Sequence, residues 1–234
     1  DINGVKVRPT FRPDRCFSEG VDKVQLEKRL DYFVSKGCKI ADHGFDDFSD
    51  TQNIEWLIEK CFEKAVVLQL HFGTFRNVNT AAFNKIGKDS GFDVFRASVD
   101  TDALARLLDK MNTKFGDLPK IILYPLNDEC LRAVCAISGA FPNVIVGAAW
   151  WFNDTVSGIK RQLETVSEYA VLGTNLGMLT DSRSFSSYVR FDFYRRILSS
   201  FIADKVDHGE YDEKSALALA KDIAYDNVKE VLGL

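Results

Sequence analysis

Short apolar runs without polar alternation recur along the chain, and a helical or polar segment follows each of them. Runs of this kind are typical of strands that are buried on both faces, as in parallel sheets covered by helices. Counted back from the C-terminus, the strand candidates are residues 171–180, 143–151, 120–126, 65–72, 37–43 and 4–11. The pattern therefore predicts six strand-helix units.

Helical spacing of apolar residues separates these strands. The first helix is expected to end at Gly37, a residue type that suits the position after a helix C-terminus. We expect helices at residues 21–36, 51–64, from Asp100 to Gly116, at about 128–140, and from near Ser184 onwards. Residues 74–99 lack strong periodicity, and we expect a long functional loop there, because loops of this length are usually binding elements or lids.

Composition narrows the class of protein. The chain has 234 residues, 46% of them hydrophobic, and a formal net charge of -4, which favours one domain over residues 1–234. No apolar run reaches 18 residues, so no membrane span is expected. No basic stripe suggests nucleic-acid binding. The first residues have neither the basic region nor the apolar core of a signal peptide, and the missing initiator Met fits a chain that begins inside a longer protein.

The five cysteines, at positions 16, 38, 61, 130 and 135, are odd in number and share no Cys-x-x-Cys spacing. We interpret them as small core residues rather than as redox or metal-binding groups, which predicts a cytoplasmic protein.

Two strand candidates end in a side chain that can bind a metal or transfer a proton, followed by a cation. Residues 65–72 run into His71, with Arg76 five residues later, and Asp181 and Arg183 follow the candidate strand at 171–180. In a barrel of alternating strands and helices, active sites lie at the carboxyl ends of the strands. These four residues are therefore the first candidates for a site.

Several short sequence motifs resemble those of the uronate isomerase (glucuronate isomerase) family of the amidohydrolase superfamily. They span the chain from about residue 5 to the C-terminus in the family's order. The motifs are Arg-Pro-Asp at 12–14, Ala-Asp-His at 41–43, His-Phe-Gly from 71 with Arg76-Asn, Trp-Trp-Phe-Asn-Asp from 150, and Gly-Met-Leu-Thr-Asp-Ser-Arg-Ser-Phe from 177. Tyr188 and residues 193–198 follow the last motif and also match.

The resemblance implies a (β/α)8 TIM-barrel fold, which needs eight strands to close. If residues 171–180 form the eighth strand, the first two strands are absent, and the chain is an incomplete barrel of about six units plus C-terminal helices. The family's His-x-His pair lies on its first strand, and this chain has no His-x-His among its three histidines. The resemblance implies a divalent metal, with zinc as the first choice, but its site would be incomplete here.

The family's reaction interconverts D-glucuronate and D-fructuronate, and D-galacturonate and D-tagaturonate, in hexuronate catabolism. Moving a proton between C2 and C1 through an enediol needs a base, a group that polarises the carbonyl, and a cation for the C6 carboxylate. We assign Asp181 and His71 to the metal or to proton transfer. Arg183 and Arg76 are assigned to carboxylate or hydroxyl recognition, since a guanidinium binds a carboxylate with two hydrogen bonds.

Looser matches suggest that Arg12, Asp42 and His43 bind substrate and that Trp150 lines the sugar site. Without the resemblance, ordinary structural roles explain several candidates. His71 could be a satisfied core histidine, Asp181 could cap the helix near Ser184, Arg183 could form a surface ion pair, and either Trp150 or the next tryptophan could be core.

Two other functions stay open. One is a metal-dependent hydrolase of the same superfamily, although its sixth strand should then supply a histidine, and residues 120–127 contain none. The other is a truncated, non-catalytic binding or assembly module. A hexuronate is the expected partner, with neither nucleic acid nor membrane. An incomplete barrel also leaves open sheet edges, which predicts homo-oligomerisation.

Overall fold

Parallel strands form the main sheet of the computed structural model, which describes residues 6–234. Seven strands occur in this part of the chain: β1 (Thr10–Phe11), β2 (Ile40–Phe45), β3 (Val67–Phe72), β4 (Thr74–Phe75), β5 (Val94–Phe95), β6 (Ile121–Pro125) and β7 (Val144–Val146). The main sheet has the order β1-β2-β3-β6-β7, and every pair in it is parallel. Strands β4 and β5 pair antiparallel as a separate ribbon.

Helices occupy the connections and the C-terminal third. They are α1 (Asp14–Ser18), α2 (Lys23–Ser35), α3 (Gln52–Lys64), α4 (Thr80–Ile86), α5 (Thr101–Phe115), α6 (Leu131–Ala140), α7 (Val156–Tyr169), α8 (Val189–Asp207), α9 (Glu213–Lys221) and α10 (Asn227–Leu232). The Asp100 side chain accepts a hydrogen bond from the Ala103 N–H, and Gly116 ends the same helix at a φ of 78°. The caps predicted for this helix are therefore confirmed.

The two faces of the sheet have different environments. Alternate strand residues such as Leu68, Leu70 and Phe72 join the main hydrophobic core against the helices. The opposite face, which we call the inner face, carries Val67, Ile122 and Tyr124 in a smaller cluster. Residues of the segment after α7 and of α10 pack against that cluster, namely Leu176, Leu179, Val231 and Leu232. The inner face is therefore covered by the C-terminal part of the chain.

The strand predicted at 171–180 is wrong. Residues 172–174 form a 3-10 turn, and residues 175–183 are irregular. The Asn227 side-chain amide donates to the carbonyls of Gly173 (2.7 Å) and Asn175 (2.8 Å), which a neighbouring strand would otherwise use. Gly177 has a φ of 74°, and a Cβ there would lie 2.6 Å from the carbonyl oxygen of Ile223. The apolar residues of this segment pack on the sheet without pairing with it.

The other predicted strands occur with different limits. The run at 143–151 pairs only over Val144–Val146, and the run at 4–11 only over Thr10–Phe11, while residues 1–5 lie outside the described residues. The main sheet therefore has five strands rather than six. The loop expected at 74–99 contains α4 and the β4-β5 ribbon. None of the helices in residues 6–234 is long and apolar enough to cross a membrane.

Candidate active site

His71 and Asp42 lie side by side on the inner face, near the carboxyl ends of β3 and β2. Gly44 pairs with His71 in the β2-β3 register, and His71 is only 7% exposed. A Cβ at position 44 would lie 2.9 Å from both ring nitrogens of His71 and closer still to Cε1. Glycine at this position therefore gives the imidazole its place against the strand.

Arg12 links these two residues through its two terminal guanidinium nitrogens, while its third nitrogen binds Asp14. Nη1 lies 3.2 Å from Asp42 Oδ2, and Nη2 lies 3.3 Å from His71 Nε2. Nε donates to Asp14 Oδ2 at 2.8 Å. A guanidinium only donates, so Nη2–H can donate to His71 Nε2, and the same Nε2 lies 3.4 Å from Asp42 Oδ2. His71 Nε2 therefore lies between a guanidinium and a carboxylate.

Asp14, at the start of α1, is a carboxylate of this cluster with a lowered pKa. Partial burial works against its ionisation, but hydrogen bonds from His43 and Arg12 outweigh burial and lower the pKa of Asp14 to about 2. For Arg12, burial lowers the pKa, while the Asp14 hydrogen bond and nearby carboxylates raise it above the ordinary value. One of those carboxylates belongs to Asp181, which places Asp181 near this cluster.

His43 is on the other face of β2. Its ring is buried against Phe17 and Phe45 at centroid distances of 5.2 and 5.8 Å, and its Nδ1 lies 2.6 Å from Asp14 Oδ1. Successive strand residues point to opposite faces, so His43 cannot share the inner face with Asp42. The structure therefore places His43 and His71 on different faces of the sheet.

Trp150 packs edge-on against His71, with ring centroids 5.4 Å apart. Tyr124 lies beside it, and its hydroxyl accepts a hydrogen bond of 2.8 Å from Gln69 Nε2. Burial raises the pKa of Tyr124, and the charge of Asp42 raises it further against the lowering effect of Gln69. The phenol is therefore a neutral neighbour of the Asp42 carboxylate.

Arg76 lies in the long connection after β3 and is held by that connection. Its guanidinium pairs with Asp89 at 2.8 Å and Asp93 at 3.2 Å, and it lies over the Trp151 ring at 5.2 Å. Trp151 has a φ of 55°, a conformation that is uncommon for a bulky residue. Trp151 contacts Trp150, which packs against His71, so two aromatic rings lie between Arg76 and His71.

Asp181 and Arg183 are exposed, and Asp181 has a φ of 46°. Across residues 6–234, neither side chain takes part in a hydrogen bond or an ion pair within the chain. The 3-10 turn at Phe185–Tyr188 has no side-chain cap, so Asp181 does not cap it. Within residues 6–234, the charged groups of Asp181 and Arg183 therefore have no ion-pair partner, whereas those of Arg12 and Arg76 do.

The described residues do not by themselves fit a metal centre. No group of three or more His, Cys, Asp or Glu side chains within residues 6–234 could hold an ion. His71 Nε2 lies 3.3 Å from Arg12 Nη2, so coordination of a metal through Nε2 requires Arg12 to move.

Three contributors were missed by reasoning from the sequence. Asp14 is the third residue of the Arg-Pro-Asp motif, and Gly44 directly follows the Ala-Asp-His motif. Both therefore lie next to candidate site residues in the sequence. Tyr124 gave no signal of its own. Its alternation with Ile122 on β6, together with the β3-β6 register that pairs it with His71, places it on the inner face.

Comparison with known proteins gives consistent results. A family model described as glucuronate isomerase matches residues 46–232. The uronate isomerase of Caldanaerobacter subterraneus subsp. tengcongensis is 33% identical, over 98% of this chain and 62% of its own length. That of Staphylococcus haemolyticus is 36% identical, over 94% and 60%. The chain thus spans about three fifths of the curated relatives it matches.

Solved structures agree. The uronate isomerase of Thermotoga maritima superposes with a TM-score of 0.90 at 27% identity, covering 99% of this chain and 63% of that one. The glucuronate isomerase of Caulobacter crescentus gives a TM-score of 0.79 at 27% identity, covering 88% and 49%. The expected α/β fold of TIM-barrel type, present as an incomplete barrel, is confirmed.

Proposed function

Because the chain belongs to the glucuronate isomerase family, we propose that it is part of an enzyme that interconverts aldose and ketose hexuronates in hexuronate catabolism. The substrates proposed are D-glucuronate, giving D-fructuronate, and D-galacturonate, giving D-tagaturonate. The observation that carries the proposal is the convergence of Arg12, Asp42 and His71 at the carboxyl edge of the sheet, with the charge of Asp181 close to Arg12.

The charges of Asp181 and Arg183, which have no ion-pair partner within residues 6–234, suggest how the site works. Asp181 has an exposed carboxylate without a cationic partner at hydrogen-bond distance, which suits a base that takes and returns the carbon-bound proton. His71, supported by Arg12, suits relay of the hydroxyl proton. Arg183 is the guanidinium that remains available for the substrate's carboxylate.

Arg12 and Asp42 hold the site together from the inner face, and Trp150 lines it beside His71. Arg76 already has two carboxylate partners in its own connection. For Arg76 to bind substrate, a substrate oxygen must replace at least one of them. We therefore propose Arg183 as the first carboxylate ligand and Arg76 as the second.

The two alternative functions are not favoured, since the relatives and structures compared above are named uronate or glucuronate isomerases. A divalent metal, with zinc as the first choice, remains part of the proposal. His71 and Asp181 are its ligands from this chain, and further ligands must come from outside residues 6–234. No step of the reaction is assigned to it.

We also propose one domain over residues 1–234, a cytoplasmic location and a homo-oligomer, without nucleic-acid or membrane partners. The main core includes residues from Phe11 to Ile223, which supports one domain. All five cysteines are free, and four are buried, which supports a reducing compartment. Strands β1 and β7 each have one neighbour among the described strands, and such open edges support self-association.

The test is an isomerase assay of the complete enzyme with D-glucuronate, with Asp181→Asn as the variant. Loss of a positioned base typically lowers the rate by about 10²–10⁴-fold. Asp109→Asn, at an exposed position of α5, is the matched control and should keep full activity. Equal activity of both variants would show that Asp181 does not transfer the proton.

A further inference from the structure

We propose that Asp14 and His43 are a positioning pair, which holds the Arg12 guanidinium against Asp42 and His71 from the opposite face of the sheet. His43 would then act without touching substrate. The inference rests on the proposed function only in taking Arg12 and His71 to belong to the reacting site.

Asp14 receives three donors on its two oxygens. Oδ1 accepts from His43 Nδ1 at 2.6 Å and from the Gly44 backbone N–H at 3.2 Å, and Oδ2 accepts from Arg12 Nε at 2.8 Å. Two of these donors belong to β2, so the carboxylate is fixed relative to the strand that carries Asp42. Because Asp14 also binds Arg12, the position of Arg12 is fixed relative to the same strand.

The protonation states follow from the partners. The pKa of Asp14 is about 2, so its carboxylate is ionised at neutral pH and can only accept hydrogen bonds. His43 must therefore carry a proton on Nδ1, and the carboxylate fixes its tautomer and ring orientation. Hydrogen bonds to a charged acceptor are roughly twice as strong as neutral ones.

His43 has the surroundings of a support residue. It is 7% exposed, and Phe17 contacts both its ring and that of Trp56 on α3. This packing holds the ring on the helix side of β2, away from the inner face where Trp150 and His71 meet.

Arg12 needs such a support because its side chain is 43% exposed. Exposed ion pairs contribute only about 0–1 kcal/mol, partly because long side chains lose entropy when they are held in one geometry. The guanidinium is planar, so fixing the direction of its Nε–H also restricts where Nη1 and Nη2 point. Asp14 can therefore direct these two nitrogens towards Asp42 and His71 without contacting either residue.

The first test does not depend on catalysis. In the ¹⁵N-labelled chain, NMR measures hydrogen exchange of the Arg12 Nε–H in the wild type, His43→Phe and Asp14→Asn. We expect exchange to accelerate about tenfold or more in both variants, as for loss of one hydrogen bond to a charged group. Phe45→Leu, which changes the packing around His43 but none of these hydrogen bonds, should leave the exchange rate unchanged.

Unchanged exchange in His43→Phe, or equal acceleration in Phe45→Leu, would overturn the proposal. If His43→Phe does not fold, Asp14→Asn decides, because it removes the charge while keeping the side chain's size.

The second test is a double-mutant cycle on kcat/KM for D-glucuronate in the complete enzyme. Asp14→Asn should lower kcat/KM about 10- to 100-fold, the usual effect of losing a residue that orients a site group. In an Arg12→Met background it should lower kcat/KM less than about twofold, because Asp14 acts through Arg12. Independent, multiplicative losses would contradict the proposal. If the wild-type enzyme does not isomerise D-glucuronate, the proposed function fails, while the exchange measurement still decides the positioning role.

Discussion

Gly44→Ala tests whether His71 is held in its place by the absence of a side chain on β2. The new Cβ would lie 2.9 Å from both ring nitrogens, whereas ordinary contacts begin near 3.4 Å. Cε1 of His71 is closer still to the new Cβ, so the ring must move by about 1 Å or more, and Trp150 limits its movement on the inner face. The Arg12-His71 contact is already 3.3 Å long, so this shift takes it beyond hydrogen-bond range.

Overpacking of this kind costs about 1–3 kcal/mol, and Gly→Ala recovers about 0.4–1 kcal/mol by restricting the unfolded chain. We expect a net loss of about 1.5 kcal/mol, which lowers the Tm of a chain of this size by about 3–6 °C. Denaturant and thermal unfolding measure both quantities.

Gly139→Ala is the matched control. Position 139 lies near the end of α6, and the nearest atom to a new Cβ there is 4.0 Å away. Alanine is favoured over glycine in helices, so this variant should be as stable as the wild type or up to about 1 kcal/mol more stable. A Gly44→Ala protein that unfolds like the wild type, with the Arg12-His71 contact intact, would refute the packing argument.

Three further predictions concern charge and activity. The pKa of Asp14 is lowered from 3.8 to about 2, so its ion pairs stabilise the fold by about 2 kcal/mol above pH 4, and this contribution is lost as the pH falls through 2. Asp14→Asn should thus be less stable at pH 7 by about that amount, with a deficit that shrinks towards pH 2, and a pH-independent deficit in denaturation would contradict the assignment. In the complete enzyme, Arg183→Lys should reduce kcat/KM by the equivalent of about 1.5–3 kcal/mol and change the Tm little, whereas early unfolding with normal turnover would make Arg183 a structural residue. Residues 1–234 alone should show weak or no isomerase activity beside the complete protein, because the family's His-x-His pair has no counterpart here, and full activity in the fragment would make that pair dispensable.

Local signals in the sequence predicted the elements that depend on local physics. Capping at Asp100 and Gly116, and apolar runs at β3 and β6, located a helix and two buried strands within a few residues. Residues 171–180 have the same apolar character but no strand neighbour. Two of their carbonyls, those of Gly173 and Asn175, accept from Asn227, more than fifty residues away in the chain, and no periodicity near residue 175 reveals that partner.

The candidate site shows a similar division. Sequence motifs near strand ends identified His71, Asp42 and Arg12 as candidates, and in the structure Arg12 contacts both Asp42 and His71. The face that each side chain occupies was harder to predict. His43 follows Asp42 directly, so strand alternation places it behind the sheet, where it binds Asp14.

The amide of Asn227 has a practical consequence for anyone who modifies this protein. Asn227 begins α10, and the segment that it binds leads within a few residues to Asp181 and Arg183. Val231 and Leu232 of the same helix pack on the inner face. Helix α10 is therefore connected through the hydrogen bonds of Asn227 to the loop that carries two proposed site residues. A substitution in α10 that displaces Asn227 should therefore also displace that loop, although the helix itself contributes no proposed site residue.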